Sequence, residues 1–174
     1  MNILAIAGSL RTHSSNSALV QIIAELAPVN VSVFDDLGNL PLFSPDIDTE
    51  ASPQSVISFR AQINAADAIL ICTPEYAYGM PGSLKNALDW LVSSASLYKK
   101  PVAALSASPS PRGGDRALVW LLQTLSALDA HTPEEASFPI SIIREEIDVS
   151  RIKGTALEQQ ISAMFRSLET LLSS

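Results

Sequence analysis

The stretch Ile3-Leu4-Ala5-Ile6-Ala7-Gly8-Ser9-Leu10-Arg11 opens the chain with an apolar run that stops at a glycine and small polar residues. An apolar run of strand length without alternation is typical of a strand that is buried on both faces of a parallel sheet. The residues that follow predict a helix that ends near Pro28, with one apolar face made of Leu19, Ile22, Ile23 and Leu26. The start of the chain is therefore predicted to form one strand followed by one helix.

The same alternation of strand and helix continues along the chain. Further strands are predicted at Val31 to Phe34, Asp67 to Cys72, Pro101 to Ser106 and within His131 to Ile142. Helices are predicted at about Pro53 to Ala66, from Pro81 to Ser83 onward, around Leu118 to Leu128 and from about Thr155 to Leu172. The chain between Asp35 and Pro53 is expected to be an irregular connection. This pattern predicts an α/β fold with a doubly wound five-stranded parallel sheet, order 2-1-3-4-5, and helices on both faces.

Length and composition exclude several classes of protein. A chain of 174 residues predicts one domain spanning residues 1–174. The net charge of −7 argues against a nucleic-acid partner, and no apolar run reaches the length of about 20 residues that a membrane helix needs. The apolar start lacks a preceding Lys or Arg and is too short for a signal peptide, so we expect a cytoplasmic protein. The single cysteine, Cys72, is expected to be a buried thiol.

Three loops are expected to meet at one edge of the sheet, because they follow strands 1, 3 and 4 from Gly8, Thr73 and Ser106. The first loop offers Arg11 and the polar side chains of Ser9, Ser14, Ser15 and Asn16. Two interpretations fit this loop: an ordinary capped helix, and a phosphate-binding loop at a helix N-terminus. Neither a P-loop nor a Gly-x-Gly-x-x-Gly motif follows the strand, which disfavours nucleotide hydrolysis and a dinucleotide-binding Rossmann domain.

Two motifs in the right order make the resemblance to a family specific. Gly8-Ser9-Leu10-Arg11-x-x-Ser14-x-Asn16, together with Pro74-Glu75-Tyr76 and Pro81-Gly82-Ser83-Leu84-Lys85-Asn86-Ala87-Leu88-Asp89-Trp90, resembles the NAD(P)H-dependent FMN reductase family. The resemblance implies a flavodoxin-like fold and covers the chain from Met1 to about Leu128. It also implies relatives that reduce quinones, chromate and azo dyes.

The resemblance implies a role for each of the three loops. The FMN phosphate is expected at Ser9, Arg11, Ser14 and Asn16, with Ser15 as a further donor. The isoalloxazine ring is expected against the backbone of Pro74, Glu75, Tyr76 and Ala77. The third loop resembles the family's remaining flavin loop and contributes Ser106, Ser108 and Gly113. Many relatives have Asn followed by Gly where this chain has Ala77 and Tyr78, so the contacts of that Asn side chain do not carry over.

The activity that the resemblance implies is hydride transfer from NAD(P)H to FMN, and then electron transfer to a small-molecule acceptor. The acceptor is expected to be a quinone, an azo compound, a metal oxyanion or free flavin. Because the cofactor carries the chemistry, no side chain is expected to act as a catalytic acid or base. No metal site is expected either, because no spacing of His, Cys and carboxylates suggests one. Two alternatives remain: an electron carrier of flavodoxin type without NAD(P)H activity, and a non-catalytic interaction module.

The helix that follows the second loop carries polar and aromatic residues whose roles the sequence leaves open. Lys85, Asn86 and Asp89 are expected to form a salt bridge or a subunit contact. For Trp90, packing or an interface competes with direct contact to the flavin. The resemblance further implies a homodimer or a homotetramer, and the leucine-rich helices after strands 3 and 4 are candidates for the contact surface.

Overall fold

The fold is a five-stranded parallel sheet, seen in a computed structural model that describes residues 1–173. The strands are β1 (Asn2–Ala7), β2 (Asn30–Phe34), β3 (Ala68–Thr73), β4 (Val102–Ser108) and β5 (Ser137–Ser141). Their order is β2-β1-β3-β4-β5, and every neighbouring pair is parallel. The predicted strands, their order and the flavodoxin-like class are confirmed.

The helices lie between the strands and after β5. They are α1 (Ser15–Leu26), α2 (Gln54–Ala65), α3 (Gly82–Asp89), α4 (Asp115–Ala127), α5 (Val149–Ile152) and α6 (Ala156–Leu172). The short helix α5 has only four residues and was not predicted, because one helical turn leaves no periodic pattern. None of the helices described in residues 1–173 is long and apolar enough to cross a membrane.

Successive residues of each central strand pack against opposite layers of helices. In β1, Leu4 and Ile6 join the core formed with α2, α3 and α4, whereas Ile3 and Ala5 join the core formed with α1 and α6. All six residues of β3 are buried. This double burial explains the continuous apolar runs that predicted the parallel sheet.

The strand register brings three loops to the same edge of the sheet. Ala7 of β1 pairs with Cys72 of β3, and Thr73 pairs with Ser106 of β4. Strand β4 continues to Ser108, two residues beyond its predicted end, and Ser108 pairs with Ser141 of β5. This extension was not predicted, because the sequence Ser106-Ala107-Ser108 is polar.

Helix α3 holds the connection between β2 and α2 by polar contacts over a long sequence separation. The indole Nε1 of Trp90 and the amide Nδ2 of Asn86 both donate to the carbonyl of Pro41, at 2.8 and 2.9 Å. The backbone N–H of Phe43 donates to Asn86 Oδ1 at 2.7 Å. Trp90 is fully buried, so its role is packing. Lys85 forms the expected salt bridge within the helix, with Asp89.

A cluster of charged and polar side chains stabilises the C-terminal part of the connection between β2 and α2. Arg60 Nη2 lies 2.9 Å from Asp48 Oδ1, and Arg60 Nε donates to the carbonyl of Trp90 at 2.8 Å. The hydroxyl of Ser93 donates to the other carboxylate oxygen. The hydrogen bond from Ser93, followed by the bond and charge of Arg60, lowers the pKa of Asp48 below its ordinary value.

Candidate functional site

The three loops at the carboxyl edge of the sheet enclose a small polar cavity of about 100 Å³. Its lining takes residues from the loop after β1, the loop after β3 and the end of β4 with the loop that follows it. These residues are Ser9, Arg11, Ser14, Ser15, Asn16, Pro74, Glu75, Tyr76, Ala107, Ser108 and Pro109. Nine of the twelve predicted site residues therefore lie at one cavity. The other three, Ala77, Ser106 and Gly113, lie outside this lining.

The first loop is shaped by a buried helix cap. Ser14 is the N-cap of α1, and its hydroxyl accepts the backbone N–H groups of Asn16 at 3.2 Å and of Ser17 at 3.4 Å. Such a cap replaces bonds that the first turn of a helix cannot make within itself. Ser14 therefore caps α1, and the cap places the hydroxyl of Ser14 beside the cavity.

Asn16 anchors the first loop to two strands. Its Nδ2 donates to the carbonyl of Ala107 at 3.2 Å, and its Oδ1 accepts from the thiol of Cys72 at 3.1 Å. Both side chains are buried, and burial raises the pKa of Cys72. The polar atoms of the Asn16 side chain are thus bonded inside the protein, which indicates a supporting role in the cavity wall.

Arg11 presents the cation of the site. Its side chain is exposed at the cavity and has no ion pair or hydrogen bond within residues 1–173. The neighbouring Ser9 is buried, and its hydroxyl accepts the backbone N–H of Arg11 at 3.3 Å and lies 3.5 Å from the hydroxyl of Tyr76. Ser9 thereby links the first loop to the second, and the Arg11 guanidinium is free to bind an anion.

The close approach of the first loop to α3 and β3 favours a glycine at its start. A Cβ atom on Gly8 would lie 2.9 Å from a methyl group of Leu84 and 3.4 Å from the backbone of Thr73. The backbone N–H of Gly8 donates to the carbonyl of Cys72 at 2.8 Å. Only a residue without a side chain lets the loop turn here against α3 and β3 without displacing either.

The loop after β3 folds into a two-residue hairpin turn. Tyr76 and Gly79 exchange two backbone hydrogen bonds of 2.9 Å, across Ala77 and Tyr78. Both central residues have positive φ, 48° at Ala77 and 65° at Tyr78. This is the pattern of a type I′ turn, which strongly prefers Asn-Gly, so Ala77 and Tyr78 adopt a backbone conformation that is unfavourable for them.

Glu75 joins the second loop to α4. Its Oε2 accepts the backbone N–H groups of Arg116 at 3.1 Å and of Ala117 at 3.3 Å, in the first turn of α4. The N-cap residue Gly114 has no side chain to make these bonds. Glu75 therefore acts as the cap of a helix that begins some 40 residues later in the chain, and it fixes the distance between the second and third loops.

The third loop is built on a glycine that packs against β5. Gly113 has φ of 62°, and a Cβ atom there would lie 2.6 Å from the backbone carbon of Ile140. The buried hydroxyl of Ser106 donates to the carbonyl of Gly113 at 2.9 Å. Ser106 and Gly113 thus support the loop from behind, whereas Ser108 lies at the cavity and bonds through its hydroxyl to Ser110.

A second, largely apolar cavity of about 540 Å³ adjoins the hairpin turn. Tyr76 lines both cavities, so the polar and apolar spaces meet at its side chain. The apolar cavity is enclosed by Tyr76, Ala77, Tyr78, Gly79, Met80, Gly82, Lys85, Trp120 and Thr124. A planar ligand with an anionic tail would match this pair of spaces.

Comparison with known proteins identifies the family. The sequence model described as NADPH-dependent FMN reductase matches residues 1–145. The chain belongs to this family. An NAD(P)H-dependent FMN reductase of Pseudomonas aeruginosa is 40% identical over 173 residues, which cover 97% of this chain and 94% of that protein. A quinone reductase of Escherichia coli is 33% identical over 153 residues, with coverage of 85% and 81%.

A solved structure agrees with this assignment. The flavoenzyme NAD(P)H:acceptor oxidoreductase of Paracoccus denitrificans superimposes with a TM-score of 0.85, at 27% identity, and the match covers 97% of each chain. As a member of the NADPH-dependent FMN reductase family, the protein is an oxidoreductase that uses FMN, with NAD(P)H as co-substrate. Its electron acceptors are small molecules.

The residues at the polar cavity fit the phosphate of FMN. A phosphate dianion needs hydrogen-bond donors and positive charge, and at this cavity it would find the hydroxyls of Ser9 and Ser15, the N-terminal end of α1 and the unpaired Arg11. No group of three or more His, Cys, Asp or Glu side chains within residues 1–173 is arranged to hold a metal ion. The donor set is therefore that of an anion site.

Several contacts at the site were not found from the sequence. Arg116 and Trp120 lie on α4 beside the hairpin turn, but neither belongs to a motif. The capping role of Glu75 was also missed, because its partners lie more than 40 residues away. The pair Gly113-Gly114 before an amphipathic helix was the one available signal of a helix start near the site.

Proposed function

We propose that the protein is an NAD(P)H-dependent quinone reductase that binds FMN across the three loops. The observation that carries this proposal is the convergence of all three loops on one polar cavity that presents the unpaired Arg11. The names of the relatives support a quinone as acceptor. Residues 1–174 would then form a single FMN-binding domain.

Each part of the site has its own task in this proposal. Arg11, Ser9, Ser14 and Ser15 bind the phosphate, and Asn16 holds their loop in place through Ala107 and Cys72. The backbone from Pro74 to Ala77 would lie against the ring, and Ser108 would border it from the third loop. Ser106 and Gly113 keep the third loop close to β5. FMN, when bound, supplies the two-electron chemistry between NAD(P)H and the acceptor.

The overall reaction balances without a catalytic side chain. NAD(P)H and one proton reduce the quinone to its hydroquinone, and NAD(P)⁺ is the other product. The protein therefore has to position two flat reactants, one after the other. Solvent protons must be able to reach both of them. An azo compound, a metal oxyanion or free flavin would be a further acceptor at the same open site.

The test is an assay of NADH and NADPH oxidation with purified protein, with and without FMN, using 1,4-benzoquinone as acceptor. We expect FMN-dependent oxidation with hydroquinone formed in equal amount. Bound FMN that neither nicotinamide reduces would instead indicate the electron carrier of flavodoxin type. Protein that binds no FMN would contradict both of these functions and leave the interaction module.

We also propose that the protein forms a homodimer or a homotetramer in the cytoplasm, where NAD(P)H is available. Exposed apolar side chains on and after α3 and on α4, among them Val92, Val119 and Trp120, support a contact between copies. Light scattering should give two or four times the chain mass of 18.6 kDa. A mass of one chain would contradict this assembly.

A further inference from the structure

A third cavity, of about 430 Å³, lies beside the end of β2 and is called the β2 cavity. The loop after β1, helix α1, the end of β2 and the start of the connection after β2 enclose it. Ser9 and Arg11 line both this cavity and the polar cavity. Since β1 lies between β2 and β3 in the sheet, the two cavities flank the loop that follows β1. The proposed FMN site uses only the cavity on the β3 side.

The β2 cavity presents two opposite charges that have no partner in the protein. Asp35, which directly follows β2, lines it together with Arg11. Neither side chain forms an ion pair or a hydrogen bond within residues 1–173, and the two do not pair with each other. A ligand that donates hydrogen bonds to the carboxylate and presents an anion to the guanidinium would satisfy both groups.

The rest of the wall suits a flat ring and hydroxyl groups. Leu10, Val33 and Leu37 supply apolar surface, and Leu10 is 60% exposed. Gln21 on α1 adds an amide to the same wall. In doubly wound sheets that bind dinucleotides, an acidic residue after the second strand accepts the hydroxyls of a ribose, and Asp35 has this position. A nucleotide therefore matches the cavity, with its base on the apolar surface, its ribose at the carboxylate and its 5′-phosphate at the guanidinium.

We propose that the β2 cavity binds the adenylate group of a dinucleotide and that this dinucleotide is FAD. The proposal rests on the proposed function, because the flavin half of FAD would occupy the FMN site. FAD is FMN with an adenylate joined to its phosphate, so the second phosphate starts where the phosphate of FMN is expected, at Ser9 and Arg11. The chain has no Gly-x-Gly-x-x-Gly motif after β1, so the charge of Arg11 rather than a glycine-rich backbone holds the second phosphate.

NADH carries the same adenylate and is the other source to be distinguished. Its nicotinamide has to lie against the flavin ring, so its adenylate would have to pass the phosphate of bound FMN to enter the β2 cavity. FAD needs no such path, because its two phosphates are adjacent. The carboxylate of Asp35 would repel the 2′-phosphate of NADPH, so the comparison is made with NADH.

The experiment titrates the FMN-free protein with FMN and with FAD by calorimetry, in wild type, Asp35→Ala and Asp46→Ala. Asp35→Ala is expected to fold, because the side chain of Asp35 has no partner within residues 1–173 to lose. Asp46 is exposed on the same connection and lines none of the three cavities, so Asp46→Ala is the control for the lost charge. The KM for NADH is measured with the FMN-loaded proteins in parallel.

The wild-type protein is expected to bind FAD at least as tightly as FMN. In Asp35→Ala, the dissociation constant of FAD should rise about tenfold while that of FMN stays unchanged, and Asp46→Ala should change neither. A rise confined to the KM for NADH would retain the adenylate site and assign it to the co-substrate. Unchanged FAD affinity together with an unchanged KM would overturn the proposal. Equal losses of FMN and FAD affinity would also overturn it, because they would indicate a distorted loop.

The proposed function can fail separately from this inference. A wild-type protein that binds FMN and FAD but oxidises neither NADH nor NADPH refutes the reductase, and calorimetry still decides whether Asp35 binds the adenylate. A wild-type protein that reduces quinone with FMN, but whose FAD affinity and KM for NADH do not depend on Asp35, refutes only the adenylate site.

Discussion

The loop from Gly8 to Asn16 and the turn from Tyr76 to Gly79 form opposite ends of one site and are built by different means. The first is fixed by buried polar contacts: the cap of Ser14, the anchoring amide of Asn16 and the link from Ser9 to Tyr76. The second is fixed by two backbone hydrogen bonds, a strained backbone and the stacking of Tyr78 on Arg116. One end presents a cation and hydroxyls, and the other presents aromatic rings.

This difference separates two kinds of specificity. In the proposed site, the polar loop binds a phosphate through side chains and so determines which cofactor is bound. In the same proposal, the turn offers shape and apolar surface beside the cofactor's ring. Substitutions in the loop should therefore change cofactor affinity, whereas substitutions in the turn should change acceptor preference and local stability.

The largest effect is expected from Arg11→Ala at the phosphate end. Removal of the unpaired cation should weaken FMN binding about 10-fold to 100-fold, because charged hydrogen bonds contribute about 1.5 to 3 kcal/mol. The melting temperature of the FMN-free protein should not change, since the side chain of Arg11 has no partner within residues 1–173. Fluorescence titration with FMN measures the affinity, and Arg166→Ala on the exposed face of α6 is the control. An unchanged affinity in Arg11→Ala would exclude it as the phosphate ligand.

Asp48→Asn tests a region that lines neither cavity and should leave FMN affinity unchanged. It should lower the free energy of unfolding by about 2 kcal/mol at pH 7, because the bonds from Arg60 and Ser93 lose a charged acceptor. The folded pKa of Asp48 is lowered, so its stabilisation is present above the unfolded value of about 3.9 and is lost as pH falls through the folded value.

Urea unfolding of wild type and Asp48→Asn between pH 7 and pH 3 measures this dependence. The difference in stability between the two proteins should be constant near neutral pH and should shrink below a pH of about 4. A difference that grows as the pH falls would contradict the assignment. Weaker FMN binding by Asp48→Asn would show that the connection it holds is coupled to the site.

Glu75→Ala tests the link between the turn and α4. The N–H groups of Arg116 and Ala117 lose their acceptor, which should lower the free energy of unfolding by about 1 kcal/mol. Glu75→Gln is the matched control, because its side-chain oxygen still accepts both bonds. If denaturant unfolding shows equal losses in the two variants, the charge rather than the cap stabilises α4.

The smallest effect is expected from Ala77→Gly, and it has the opposite sign. Relief of the positive φ should raise the free energy of unfolding by about 0.5 to 1 kcal/mol. The same change in the middle of α6, Ala163→Gly, should lower stability by about 1 kcal/mol. Thermal unfolding measures the stability of both variants. If both are destabilised alike, the backbone at Ala77 is not strained.

The sequence predicted the fold well because the central strands are buried on both faces and carry continuous apolar runs. Ile3 to Ala7 and Asp67 to Cys72 are such runs, and the order of the sheet follows from right-handed connections between parallel strands. The four-residue α5 and the end of β4 at Ser108 were missed, since neither has a distinctive pattern. Short elements depend on tertiary contacts more than on local sequence.

The candidate site was predicted at the level of loops rather than of contacts. Nine of the twelve named residues line one cavity, but Asn16, Ser106 and Gly113 are bonded or packed inside the protein. Spacing along the chain cannot show in which direction a side chain points. It also could not reveal that Trp90 bonds to Pro41, or that Ala77 and Tyr78 form a left-handed turn without Asn-Gly.

The comparison of FMN with riboflavin tests the central claim most directly, because the two ligands differ only in the phosphate. Titration of the FMN-free protein with each ligand should show FMN bound about 100-fold more tightly. The preference should fall to a few-fold in Arg11→Ala. Equal affinity of the wild-type protein for the two ligands would contradict the assignment of the Gly8 to Asn16 loop as the phosphate site.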